Sequence, residues 1–172
     1  MPLFSRLRLS RAKSGEISSH KSHYKYIENA LVKAPPIRWT YPVAKGMGFA
    51  QGELVLEVGY DTDCDDALRN EISATIKTDF LEGSATEVVD AVLLWWRDGD
   101  GDLVDELMDG LTYLSETGPI WVLTPKMGRA GHVEPSEIQD AAPIAGLSQT
   151  STLAVANDWT ATRLVARKAS KR

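Results

Sequence analysis

The stretch EVVDAVLLWWRDGDGDLVDELMDGLTYLSETGPIWVLTPK, residues 87–126, reads as strand, acidic glycine-containing loop, amphipathic helix and second strand in unbroken succession. Ala91 to Trp96 is a continuous apolar run between Asp90 and Arg97, the pattern of a strand buried on both faces. Beyond the loop, Leu103, Val104, Leu107, Met108, Leu111 and Leu114 recur at helical spacing, so one helix face is expected to pack on the sheet. Gly118 and Pro119 stop the helix, and Ile120 to Leu123 returns as a short apolar strand. A crossover of this kind sets the two strands parallel.

The flanks continue the alternation. Upstream, Leu54, Val55, Leu56 and Val58 form a strand ending at Gly59, and Leu68, Ile72 and Ile76 fall four apart in a helix that opens on acids. Downstream, Pro135 suits a first helical turn, Ile138, Ala141, Ala142 and Ala145 supply a narrow apolar face, and Pro143 should kink or end that helix. Ser151 to Ala156 and Thr160 to Ala166 are strand-like around Asn157-Asp158-Trp159, a hairpin signal at the far edge of the sheet. The expected fold is α/β: a small Rossmann-like, mostly parallel sheet flanked by helices and closed by an antiparallel C-terminal hairpin.

At 172 residues, with 43% apolar and 25% charged side chains, the chain fits one globular core. No apolar run approaches the roughly 20 residues that span a bilayer, and no apolar h-region opens the sequence, so no membrane partner and a cytoplasmic protein are expected. Cys64 is the single cysteine, which excludes an internal disulfide and a cysteine metal cage. Asp63, Asp65 and Asp66 around it disfavour a thiolate.

Charge is uneven within the net −5. Residues 1–45 hold nine basic side chains against two acidic, residues 46–165 hold six against 22, and the last seven add four more basic ones. Residues 1–42 read as a basic, disordered N-terminal extension, 43–166 as the Rossmann-like domain and 167–172 as a basic tail. The basic ends offer nucleic acid a sequence-independent phosphate contact, although no base-reading motif accompanies them.

The runs VLEVGYDTDCDD, VVDAVLLWWRDGDGDLVD, IWVLTPKMGRAGHVEPSEI and AAPIAGLSQTS, in this order, resemble the bacterial domain-of-unknown-function family 3052 (DUF3052) over about residues 43–167. The order of strands and the closing pair also resemble a shortened class I S-adenosylmethionine methyltransferase fold. That second resemblance implies a glycine-rich cofactor loop after the first strand and an acid for the ribose hydroxyls. Gly59, Tyr60, Asp61 and Asp90 are the residues it would assign to S-adenosylmethionine. The chain keeps Gly59, but Tyr60, Asp61 and Thr62 stand where further glycines are expected, and the acids there would repel a phosphate-bearing cofactor.

Other chemistry finds little footing. Asp98, Asp100 and Asp102 have calcium-loop spacing, yet Leu103 replaces the glycine and Asp109 the glutamate, so a tight turn with an acidic N-cap is expected. His132, Glu134 and Glu137 are thin for a metal cluster. No nucleophile-elbow sequence occurs. The leading expectation is therefore a non-catalytic module without cofactor. It would bind a protein partner through Trp96, Arg97, Lys126, Arg129 and His132 at the carboxyl ends of the strands. A methyltransferase-like enzyme is the alternative.

Overall fold

The structure, a computed structural model, describes residues 42–83 and 85–168. The basic extension, with its suggested nucleic-acid contact, and the end of the C-terminal tail lie outside the described residues apart from Pro42, Arg167 and Lys168. The described elements, in chain order, are α1 (Val43–Gly46), β1 (Val55–Val58), α2 (Asp66–Ile76), β2 (Leu81–Glu82), β3 (Ala91–Trp95), α3 (Leu103–Tyr113), β4 (Pro119–Pro125), α4 (Pro135–Ile144), β5 (Leu147–Ala154) and β6 (Trp159–Ala166). No described helix is long and apolar enough to cross a membrane.

The strands form one sheet in the order β2-β1-β3-β4-β6-β5. β2, β1, β3 and β4 run parallel, and β6 lies antiparallel between β4 and β5. The hairpin expected at the edge is there, with its second strand inserted inward. α1 and β2 are the unforeseen elements, and β2 is a two-residue strand beside β1, too short to leave a periodic signal.

Each sheet face carries its own apolar layer, as an α/β sheet buried on both sides requires. Leu68, Ile72 and Ile76 of α2 pack with Val55, Leu93, Trp95 and Trp121 on one face. Leu103 and Leu107 of α3, with Ile138, Ala141 and Ala142 of α4, cover Val92, Leu94, Val122 and Leu164 on the other. Met108 departs from the expected sheet-facing stripe: it lies about 100° round the helix from Leu107, and half of its surface is exposed. Gly110 takes the close position instead, where a Cβ would stand 3.4 Å from Ile120 Cδ1.

The turns follow the sequence closely. Asp102 caps α3 by accepting from Val104 N at 2.8 Å, and Asp65 caps α2 by accepting from Leu68 N at 2.8 Å. Pro143 sits in the last turn of α4, which ends one residue later.

Candidate functional site

β1 leads outward to β2, whereas β3 leads the opposite way to β4, so the sheet changes direction between β1 and β3. Ligands of open α/β sheets settle beyond the strand carboxyl ends at such a point. A cleft of 310 Å³ lies there, with Gly59, Tyr60, Asp61, Trp96, Arg97 and Glu106 in its wall. The structure thus brings together three of the four residues the methyltransferase resemblance assigns to a cofactor.

Asp90 is not among them. It immediately precedes β3, and its Oδ2 accepts from Leu54 N at 2.8 Å, at the amino ends of the strands. Asp90 is therefore not brought beside Gly59: its carboxylate holds two strand starts together. The acid that does lie on the second strand, Glu82, stands in register with Glu57 of β1.

The cleft's polar groups bond chiefly to one another. Gly59 adopts φ +73°, and a Cβ there would stand 2.2 Å from the Trp95 carbonyl oxygen, so the close approach of two strand ends by itself demands glycine. Arg97 spans this junction. Its Nη1 donates to Gly59 O at 2.9 Å and its Nε to Asp63 Oδ2 at 2.8 Å, while Nη2 pairs with the other Asp63 oxygen and reaches Cys64 Sγ at 3.1 Å. The guanidinium also lies over the Trp159 ring, 5.3 Å from its centroid. The Arg97 hydrogen bonds hold Asp63 below the ordinary carboxylate range and reciprocally raise Arg97. Burial, the largest cause, pushes the Cys64 thiol up.

Beneath them, Glu57 is 3% exposed. Its carboxylate accepts from Arg69 Nε at 3.0 and 2.9 Å and from Trp95 Nε1 at 3.1 Å. Arg69 lies against the rings of Tyr60 and Phe80, at 4.5 and 5.2 Å, and Tyr60 Oη donates to Asp66 at 2.8 Å. That last bond is the main reason the phenol is pushed up.

The five residues expected at a partner surface divide. Trp96 is buried among apolar side chains of the α3–α4 face and Arg97 is committed to the cleft, which leaves either little surface to offer a partner. Lys126 is a strut: its N donates to Asp158 O at 2.8 Å and its Nζ to Ala156 O at 2.7 Å. Arg129 pairs with Asp158 yet keeps 60% of its side chain exposed. Together these contacts fasten the 126–134 loop to the β5–β6 turn.

His132 lies on the inner side of that loop. Its Nδ1 is 2.9 Å from Pro125 O and, because a carbonyl oxygen only accepts, donates to it. Nε2 is buried without a hydrogen bond, 3.5 Å from Glu134 Oε1, a contact that becomes an ion pair only on protonation.

Behind the loop is a 250 Å³ pocket that sequence reasoning did not find. Thr124, Thr152, Thr160 and Thr162 line its sheet side, and Met127, Val133, Pro135 and Ile138 its apolar side. The register places Thr160 beside Thr124, and Thr162 between Val122 and Thr152. Alternation of Thr160 and Thr162 was visible in the sequence. Their meeting with Thr124 depends on strand order, which was not.

A family model described as "Protein of unknown function (DUF3052)" matches residues 44–168. Uncharacterized proteins of Mycobacterium bovis and Mycobacterium tuberculosis are each 51% identical over 122 residues, covering 71% of this chain and 77% of theirs. Among solved structures, the pyocyanin biosynthetic protein PhzM matches with TM-score 0.53 at 13% identity over 68% of this chain. The mitomycin 7-O-methyltransferase MmcR matches with TM-score 0.51 at 11% identity over 73% of it. The chain spans about half the length of these two proteins, 51% and 53% respectively. At such identities the likeness establishes a methyltransferase-like Rossmann fold and no activity. With its α/β sheet and its motifs both accounted for, the chain belongs to the DUF3052 family.

Proposed function

We propose that this domain is a non-catalytic Rossmann-like module that binds a protein partner through the 126–134 loop at the carboxyl edge of its sheet. One observation carries the reading: Arg97 ties Gly59 O to Asp63 across the place where a nucleoside cofactor would enter. A binding cleft keeps donors and acceptors free for its ligand. Here Gly59 serves packing, Tyr60 serves Asp66, and Asp90 lies at the other end of the strands. These residues do not fit S-adenosylmethionine.

The loop has the opposite character. Met127 is 79% exposed and Arg129 projects beside it, while Lys126 and Asp158 hold the backbone beneath. A fixed loop carrying an apolar and a guanidinium side chain loses little freedom on binding. A cytoplasmic setting accords with the lone cysteine.

A photo-crosslinking residue at Met127 tests this. It should capture a discrete partner that a crosslinker at Val88, exposed outside the loop, does not. Arg129→Glu should abolish capture, and Asp158→Asn, which keeps the arginine, should preserve it. Equal capture from both positions would overturn the reading.

A methyltransferase-like enzyme is the second reading, favoured by the 310 Å³ cleft at the sheet reversal and by the fold. It requires Arg97 to swing away from Gly59.

A further inference from the structure

We infer that the open edge of β5 pairs with the β5 of a second copy of this chain, antiparallel across a two-fold axis at Leu153. This surface lies outside the 126–134 loop and does not depend on the module reading.

The two edges of the sheet are built differently. β2 closes one edge with two residues, and Glu82 on it carries an exposed charge. A short, charged edge is an ordinary protection against pairing with another chain. Among the described residues β5 forms the other edge, and its eight residues include no charge, proline or glycine. Its protection is a bulge at Thr150, where Gln149 and Ser151 pair with the consecutive residues Leu164 and Arg163. Beyond the bulge, residues 151–154 keep unbroken register with β6. Val155 N donates to Trp159 O, and in the alternation of an antiparallel ladder Leu153 and Ser151 turn the same way, towards β6. The N–H and C=O groups of Thr152 and Ala154 therefore face outward, and both residues are exposed. Outward groups on extended backbone are completed by another extended strand.

Symmetry and charge point to a second copy as that strand. A two-fold axis at Leu153 sets Thr152 opposite Ala154 of the copy, and Ala154 opposite Thr152 of the copy, so all the outward groups of both residues bond across the axis. Leu153 then meets its own counterpart in the close, non-hydrogen-bonded pair between them. Leu153 is partly buried against the apolar layer that holds Trp121, Trp159 and Ala161, and the pair continues that layer into the copy. A strand that pairs with itself must carry no charge that would stand opposite its like, and β5 carries none. Its surroundings agree: of the 22 acidic residues in 46–165, only Asp158 falls within 147–166, where Arg163 balances it. Two acidic domains can approach along this neutral edge without the repulsion that their acidic helix starts would meet.

The test is sedimentation equilibrium of the full chain from about 1 μM to about 1 mM, over which the mass should rise from one copy to two. Leu153→Lys, which sets like charges opposite each other at the axis, should hold the chain monomeric with an unchanged circular dichroism spectrum. Thr152→Pro should do the same, since an edge strand tolerates proline where the N–H faces outward. Leu153→Cys should form a disulfide-linked dimer under mild oxidation, because non-hydrogen-bonded neighbours stand about 4.5 Å apart at Cα, within disulfide range. The parent chain, with Cys64 alone, should not. This crosslink keeps the inference testable even if Thr152→Pro fails to fold. A monomer at every concentration would overturn the inference, as would a dimer that survives Leu153→Lys. A chain that stays monomeric yet binds an unrelated extended peptide along β5 would also overturn it, because the edge would then serve a foreign strand. Arg129→Glu should leave the dimer intact while abolishing capture from Met127, so the two readings fail separately.

Discussion

Two regions share the carboxyl edge of this sheet and spend their polar groups differently. In the cleft between β1 and β3, the Arg97 guanidinium, the Gly59 carbonyl, the Asp63 carboxylate and the buried Glu57 all find partners within the chain. The pocket beside β4 and β6 is lined by threonines and apolar side chains, and His132 Nε2 there is buried without a hydrogen bond. The fold's usual ligand position is crossed by a structural joint, and a separate pocket opens two strands along.

Gly59→Ala should be the most damaging change. Its Cβ would stand 2.2 Å from a backbone carbonyl at a positive φ, and about 3–4 kcal/mol of stability should be lost in urea denaturation. A cofactor glycine would instead lose binding with little change in midpoint. Arg69→Ala should follow at about 3 kcal/mol, because it leaves the Glu57 carboxylate buried with only Trp95 as donor. A loss below about 1 kcal/mol would mean that water replaces Arg69, and the cleft would not be the joint described.

Asp63→Asn comes next, at about 1 kcal/mol, since the Asp63 side chain is half exposed and solvent screens the pair. Asp63 is held below its ordinary value by Arg97, so its contribution is complete above the unfolded pKa of about 3.9 and declines as pH falls toward the lowered folded one. The acid limb of a stability–pH curve should flatten in Asp63→Asn; an unchanged limb would break the assignment of that limb to this pair. Thr162→Val is the smallest effect and the sharpest. Stability should hold within about 0.5 kcal/mol or rise, because no bond among the described residues is lost. Destabilisation beyond about 1 kcal/mol would show that the hydroxyl already serves the fold.

The architecture was legible because its signals are local. Leu68, Ile72 and Ile76 repeat at helical spacing and are the three buried residues of α2; Asp102 and Pro135 mark helix starts by their chemistry. β2 escaped because two residues carry no period. The site was less legible because its meaning lies in strand order. Asp90 borders an apolar run just as Arg97 does, and only chain direction tells that one is at the amino end and the other at the carboxyl end. Lys126 and Arg129 stood out as scarce cations in an acidic body, yet only Lys126 is an internal strut, while Arg129 keeps most of its side chain exposed. Met127 carried no signal beyond a glycine-containing loop, and the threonines read as ordinary strand residues until β6 was found beside β4.

Calorimetric titration of the folded protein with S-adenosylmethionine tests the central claim, that the cleft is a joint and not a cofactor site. The account predicts no heat of binding at millimolar ligand, for the protein and for Arg97→Ala alike. Micromolar binding that is lost on substitution of Tyr60 or Asp61 would contradict it and place a methyltransferase-like activity at the β1–β3 cleft.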